Sequence, residues 1–130
     1  MVDFHNHILP EMDDGSENRQ MSVQILTLSA QQGIKTVVAT PHFYANRDNP
    51  QSFLLRRQAS CEKLGQLPEG MPQLIPGAEI AFFNGMGRCE ELTKLTIGNT
   101  RMLLVEMPFR DWSPYMIQEL EQLSVGLGLT

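Results

Sequence analysis

A chain of 130 residues, 42% of them apolar and with a formal charge of -5, is long enough for one domain with a real core, expected over residues 1–130. The acidic balance argues against a nucleic-acid or anionic-membrane surface, since both select clustered Lys and Arg and only Arg56 and Arg57 are adjacent. Two cysteines without CxxC spacing exclude a disulfide scaffold and suggest a reducing, cytoplasmic setting; no stretch approaches the roughly 20 apolar residues of a membrane span, and Asp3, His5, His7 and Asp13 interrupt any signal-peptide core.

Short apolar runs alternate with longer amphipathic ones, which is the pattern of βα units. "MVDFHNH" predicts a first strand. After the polar loop "PEMDDGSEN", the stretch "RQMSVQILTLSAQQG" predicts a helix with Met21, Ile25 and Leu28 on one stripe, Val23 and Leu26 flanking it, and Gly33 as its stop. "IKTVVAT" is a β-branched second strand ended by Pro41, just before His42. A second helix is expected around "QSFLLRRQASCEKLGQL", then a turn at "PEGMP" and a third strand over "QLIPGAEIAF". A short helix near "GRCEELTKL", a strand over "RMLLVEMPF" and a helix near "SPYMIQELEQLSVGLG" complete four βα units. Met21, Met102, Met107 and Met116 are expected as core fillers.

In parallel βα folds the site forms at the carboxyl ends of the strands, where the strand-to-helix loops gather. His5 and His7 end the first strand, Asp13 and Asp14 lie in the loop after it, and His42 follows the second. Glu79 and Glu106 lie inside apolar runs, "IPGAEIAF" and "MLLVEMPF", where a buried unpaired carboxylate costs several kcal/mol. Each could pair with Lys35, Arg88 or Arg101, but a divalent cation is the economical partner for both. His5 and His7, two apart in an extended strand, project to the same side and can reach one ion. Imidazole and carboxylate together suit Mn, Fe or Zn, whereas an all-oxygen set would suit Mg or Ca. Arg47, in the loop after the second strand, is a candidate for a substrate phosphate.

"MVDFHNHILPEMDDG", "GIKTVVATPHF", "IPGAEI" and "LLVEMP" occur in an order and spacing that resemble the PHP (polymerase and histidinol phosphatase) superfamily, most closely the bacterial tyrosine-protein phosphatases of the CpsB and YwqE type. The resemblance implies an α/β fold, the N-terminal part of a distorted (β/α)7 barrel, and two or three divalent ions, usually Mn. It implies that His5 and His7 hold one ion, that Glu79 bridges it to a second that Glu106 also binds, and that Asp14 and His42 serve a third. Asp13 is then an outer residue that supports the ligands. The implied activity is protein-tyrosine phosphatase. Its substrate would be the phosphorylated, tyrosine-rich tail of a cognate tyrosine kinase of capsule or exopolysaccharide synthesis.

Where the family continues into a further strand carrying a ligand His, this chain stops at "GLGLT". The expectation is therefore an incomplete barrel, either a piece of a longer protein or a half completed by another chain, with an exposed fourth-strand edge open to dimerisation. The implied chemistry is a metal-bound hydroxide in line with phosphorus, so no side-chain nucleophile is needed. Neither Cys61 nor Cys89 has the loop context of a cysteine-dependent phosphatase. The rival readings are another PHP phosphoesterase, such as a histidinol-phosphatase, or a catalytically incomplete metal-binding or interaction module. An amidohydrolase would want a bridging Lys at a strand end, and Lys35 stands at the wrong end of its strand.

Overall fold

The computed structural model describes residues 1–130. Strand β1 (Val2–Asn6) lies beside β2 (Thr36–Ala39), and β2 beside β4 (Gln73–Pro76), all parallel. A second parallel set runs β3 (His42–Phe43), β5 (Glu79–Ala81), β6 (Leu104–Glu106). The crossovers between parallel neighbours are helical, as parallel pairing requires.

The stretch expected as a continuous third strand is thus broken at Pro76, and a two-residue strand that was not expected follows Pro41, where the second strand was expected to end. Pro41 and Pro76 have no N–H to give to a ladder, so regular pairing stops at each. Hydrogen bonds still cross the gap, from the Gly77 N–H to the Ala39 carbonyl at 2.7 Å and from the Glu79 N–H to the Pro41 carbonyl at 3.0 Å. The bend sets His42 directly opposite Glu79 in the second sheet. Paired residues of parallel strands point to the same face, so this register brings an imidazole and a carboxylate together.

Helix α1 (Arg19–Gln31) starts where the Asn18 side chain accepts the Met21 N–H, and α2 (Pro50–Leu64) where Asn49 accepts the Ser52 N–H. Helix α3 (Pro114–Val125) is capped by Ser113. The buried face of α1 is not the expected Met21–Ile25–Leu28 stripe; it is Ser22, Leu26 and Ser29, with Met21 and Leu28 exposed. Small serines let the helix approach the first strand-end loop, and the Ser22 hydroxyl donates to the Ile8 carbonyl at 2.7 Å. Met102 is also exposed, and only Met116 of the four expected fillers is fully buried.

In place of the short helix expected near residue 90 stand two 3-10 turns, Met86–Arg88 and Glu90–Lys94. Gly87 permits α3 to press against the first: a Cβ there would lie 2.7 Å from the Gln122 Cβ and 2.8 Å from the Glu119 carbonyl. The core gathers Ile8, Leu26, Val37, Phe43, Phe53 and Ile80, with Phe43 and Phe53 packed edge to face. Strand β6 pairs with β5 on one side only; near its start, Thr130 bonds to Arg101 and Leu103 through the backbone. No helix is long and apolar enough to cross a membrane.

Candidate metal centre

The polar cluster gathers where β1 and β6 end and where β3 and β5 begin. His5 in β1 and His7 just beyond it point to one side, their Nε2 atoms 3.1 Å apart. Glu79, at the start of β5, places Oε2 3.0 Å from His5 Nε2, 3.1 Å from His7 Nε2 and 3.1 Å from His42 Nδ1. Asp14 Oδ1 stands 3.6 Å from His42 Nε2, and Glu106 Oε2 stands 4.0 Å from His42 Nδ1. The ligand atoms fall into three overlapping sets: His5–His7–Glu79, His42–Glu79–Glu106 and His7–Asp13–Asp14–His42. His42 is shared between two of these, whereas the family resemblance put it in one.

Asp13 lies behind His7. Its Oδ2 accepts the His7 Nδ1–H at 2.8 Å and the His42 backbone N–H at 2.9 Å, and its Oδ1 accepts the Gly15 N–H at 3.0 Å. Burial pushes the Asp13 pKa up, but these hydrogen bonds outweigh it and hold the carboxyl below its ordinary value. With the His7 proton on Nδ1, the Nε2 lone pair faces the cluster, the arrangement an outer carboxylate gives a ligating imidazole. Gly15 is required for the loop to close this tightly, since a Cβ there would lie 2.3 Å from the His7 carbonyl oxygen.

Glu79 is only 6% exposed, so the cost of burying a carboxylate applies to it. Glu106 is less enclosed than its apolar run implies, its side chain 37% exposed. Lys35, Arg88 and Arg101 pair with neither; the groups around Glu79 are imidazoles. Yet Glu79 Oε2 and His42 Nδ1, both buried and 3.1 Å apart, make no hydrogen bond of acceptable geometry. Buried polar atoms are nearly always satisfied, so a carboxylate oxygen ringed by three imidazole nitrogens, one presenting a lone pair, fits a divalent cation better than a hydrogen-bond network. The mixed nitrogen and oxygen donors suit Mn, Fe or Zn.

Beside the cluster opens a cavity of about 500 Å³, lined by Met12, Asp13, Asp14, His42, Tyr44, Arg47, Asp48 and Arg56. Arg47 therefore stands on the wall that the cluster faces. Tyr44 was not legible as a site residue; its one signal was an aromatic ring two residues after His42 in an otherwise polar loop. Cys61 and Cys89 are free and half-buried, and burial pushes both thiols up, which leaves them poor nucleophiles.

Parallel strands that gather three histidines and four carboxylates, with three imidazole nitrogens around the unsatisfied Glu79 Oε2, define a parallel α/β protein with a divalent-metal type of site. Residues 1–128 match the family described as capsular polysaccharide synthesis, CpsB/CapC, and the chain belongs to that family. It is 32% identical over 124 residues to the tyrosine-protein phosphatase YwqE of Bacillus subtilis, an overlap of 92% of this chain and 48% of the relative. With the tyrosine-protein phosphatase CpsB of Streptococcus pneumoniae the identity is 29% over 113 residues, 82% of this chain and 44% of the relative. A solved chain from work on YwqE from Bacillus subtilis and CpsB from Streptococcus pneumoniae, described as unique metal-dependent tyrosine phosphatases, superposes with a TM-score of 0.70 at 25% identity, over 99% of this chain and 53% of that one. The chain spans about half the length of the curated relatives it matches.

Proposed function

We propose that this chain carries the first part of a metal-dependent protein-tyrosine phosphatase site, with His5, His7, Asp14, His42, Glu79 and Glu106 as metal ligands and Asp13 as the residue that orients His7. The observation that carries the reading is the convergence of three imidazoles on Glu79 Oε2, a buried oxygen with no hydrogen bond. Its four βα units are read as part of a distorted (β/α)7 barrel, one domain over residues 1–130. Two or three divalent ions, Mn foremost, are assigned to the complete site. The substrate is a phosphotyrosine protein, the tyrosine-rich tail of a cognate kinase of capsule synthesis, met in the cytoplasm. The open edge of β6 is a place where two copies could pair.

When bound, the metals supply Lewis acidity to the phosphoryl oxygens and lower the pKa of water. The chain's own residues do the rest. Asp13 keeps the His7 proton on Nδ1, so His7 Nε2 stays a lone-pair donor. Glu79 offers one oxygen to two of the three ligand sets, which ties their spacing to a single side chain. Arg47, on the cavity wall, faces the space where a phosphoryl group would sit.

The test is phosphate release from a tyrosine-phosphorylated kinase tail, before and after chelation and on readdition of Mn. The expected result is release that depends on Mn and disappears when His5 and His7 are replaced by Ala. Release that survives both treatments would sink the metal mechanism. Preference for histidinol phosphate over the phosphopeptide would overturn the substrate assignment and leave the metal site standing.

A further inference from the structure

Between the metal cluster and the cavity rim runs a column of three side chains. The Tyr44 ring stacks on the His42 imidazole, centroids 5.2 Å apart and planes 25° from parallel. The Arg47 guanidinium carbon lies 5.0 Å from the centroid of the same Tyr44 ring, within cation–π range. The backbone holds this arrangement: the Tyr44 carbonyl accepts the N–H groups of Arg47 at 3.0 Å and Asp48 at 3.1 Å, which folds the loop back so that Arg47 returns over Tyr44. Asp48 closes the far end, pairing with Arg56 of α2 and accepting the Asn49 N–H at 2.8 Å.

The charges of the cavity are then unequal in what they have left to give. Arg56 is committed to Asp48, and Asp13 to His7 and two backbone N–H groups. Arg47 alone of the lining cations has no carboxylate within 4.0 Å and no side-chain hydrogen bond, so its five donors are uncommitted. A free surface Arg gives up rotamer entropy when it grips an anion, and an aromatic platform beneath it removes part of that cost in advance.

We propose that Tyr44 is the positioning residue of this site: its ring packs on the His42 imidazole and carries the Arg47 guanidinium, presenting it to the phosphoryl oxygens of an aryl phosphate in the cavity. The inference rests on the reading of the His42 cluster as a phosphoryl site. It assigns Tyr44 a part distinct from ligation. The ring couples the cluster to the anion receptor, so losing it acts on both, whereas losing Arg47 acts on the anion alone. Arginine suits the task because its planar fork matches phosphoryl oxygens in pairs.

The experiment is calorimetric binding of phenylphosphonate, an aryl phosphonate that cannot be hydrolysed, to protein saturated with Mn, together with Mn affinity from the electron paramagnetic resonance of the free ion. Arg47→Ala and Tyr44→Leu should each weaken phenylphosphonate by about tenfold, the size of one lost charge-assisted contact. The double variant should be no weaker than the worse single one, because the two side chains act as one unit. Tyr44→Phe keeps the ring and should stay within about twofold of the parent, while Arg47→Ala leaves Mn affinity as it was.

Phenylphosphonate binding by Tyr44→Leu equal to that of the parent would overturn the inference, as would losses that multiply in the double variant. A Tyr44→Phe protein as weak as Tyr44→Leu would also overturn it, since the hydroxyl and not the ring would then be at work. A parent that shows the expected pattern but releases no phosphate from phosphotyrosine sinks the phosphatase reading and leaves the positioning role intact. Phosphatase activity with a Tyr44→Leu protein that binds phenylphosphonate normally sinks the inference alone.

Discussion

Two carboxylates in this protein are almost fully enclosed, Glu119 at 2% exposure and Glu79 at 6%, and they are enclosed in opposite ways. Glu119, on α3, accepts the Gly87 N–H at 2.7 Å, and the neighbouring Tyr115 hydroxyl and Gly85 N–H also favour its charged form. Burial pushes its pKa up, but these bonds and nearby Arg88 win and hold it below its ordinary value of 4.5. Glu79 faces three imidazoles at 3.0 to 3.1 Å, and its Oε2 completes no hydrogen bond with any of them. The chain satisfies the first carboxylate with its own donors, whereas the Oε2 of the second has no hydrogen bond. Burial alone therefore does not single out Glu79; burial without a hydrogen bond does.

The largest expected effect on stability comes from moving the imidazoles around Glu79 while leaving the carboxylate itself alone. A Cβ at Gly15 would meet the His7 carbonyl oxygen at 2.3 Å and the His7 Cβ at 2.4 Å, so Gly15→Ala must displace the loop that orients His7. A loss of about 3 kcal/mol in urea melts is expected, together with Mn binding weakened more than tenfold. Parent-like Mn binding would mean that this loop does not set the position of His7.

Glu119→Ala comes next, with about 2 kcal/mol lost because the buried Gly87 N–H is left without an acceptor, and with Mn affinity unchanged. The same contrast carries a pH dependence. A carboxyl whose folded pKa is lowered contributes stability that is complete above its unfolded value, near 4.5, and is lost as pH falls through the lower folded value. The gap between parent and Glu119→Ala should accordingly narrow in melts taken below that pH. A gap that is constant with pH would show that the hydrogen bonds do not depend on the charge.

The smallest effect has the opposite sign. In chelator, Glu79→Gln removes a buried charge whose Oε2 has no hydrogen bond, and a gain of about 1 kcal/mol is expected in urea melts. A loss would mean that Glu79 is satisfied within the chain, as Glu119 is, and the contrast would fail.

Much of this was legible in the residues. The i, i+2 spacing of His5 and His7, the strand-end position of His42 and the placement of Glu79 in an apolar run each have a direct geometric meaning, and the structure brings these side chains to one place. Helix starts were legible too: the expected helices open at Arg19, Gln51 and Ser113, within one residue of the observed α1, α2 and α3. What escaped depends on long-range fit. The break at Pro76 divides a run that reads as one continuous strand, since apolar pattern does not register a missing N–H, and the two-residue strand after Pro41 is too short to show a pattern. The buried face of α1 is set by Ser22 reaching the Ile8 carbonyl, a contact that hydrophobic periodicity ignores. No sequence pattern singles out Glu119, because its acceptor role depends on Gly87, 32 residues earlier in the chain. Tyr44 matters through stacking on His42 and Arg47, and no spacing rule marks it.

One titration tests most directly whether Glu79 holds a metal ion. Chelator-treated protein and its Glu79→Gln variant are titrated with Mn, and the free ion is followed by electron paramagnetic resonance. The account predicts saturable uptake by the parent and its loss, by about a hundredfold or more in affinity, in the variant. Equal uptake by both proteins, or none by the parent, would contradict it.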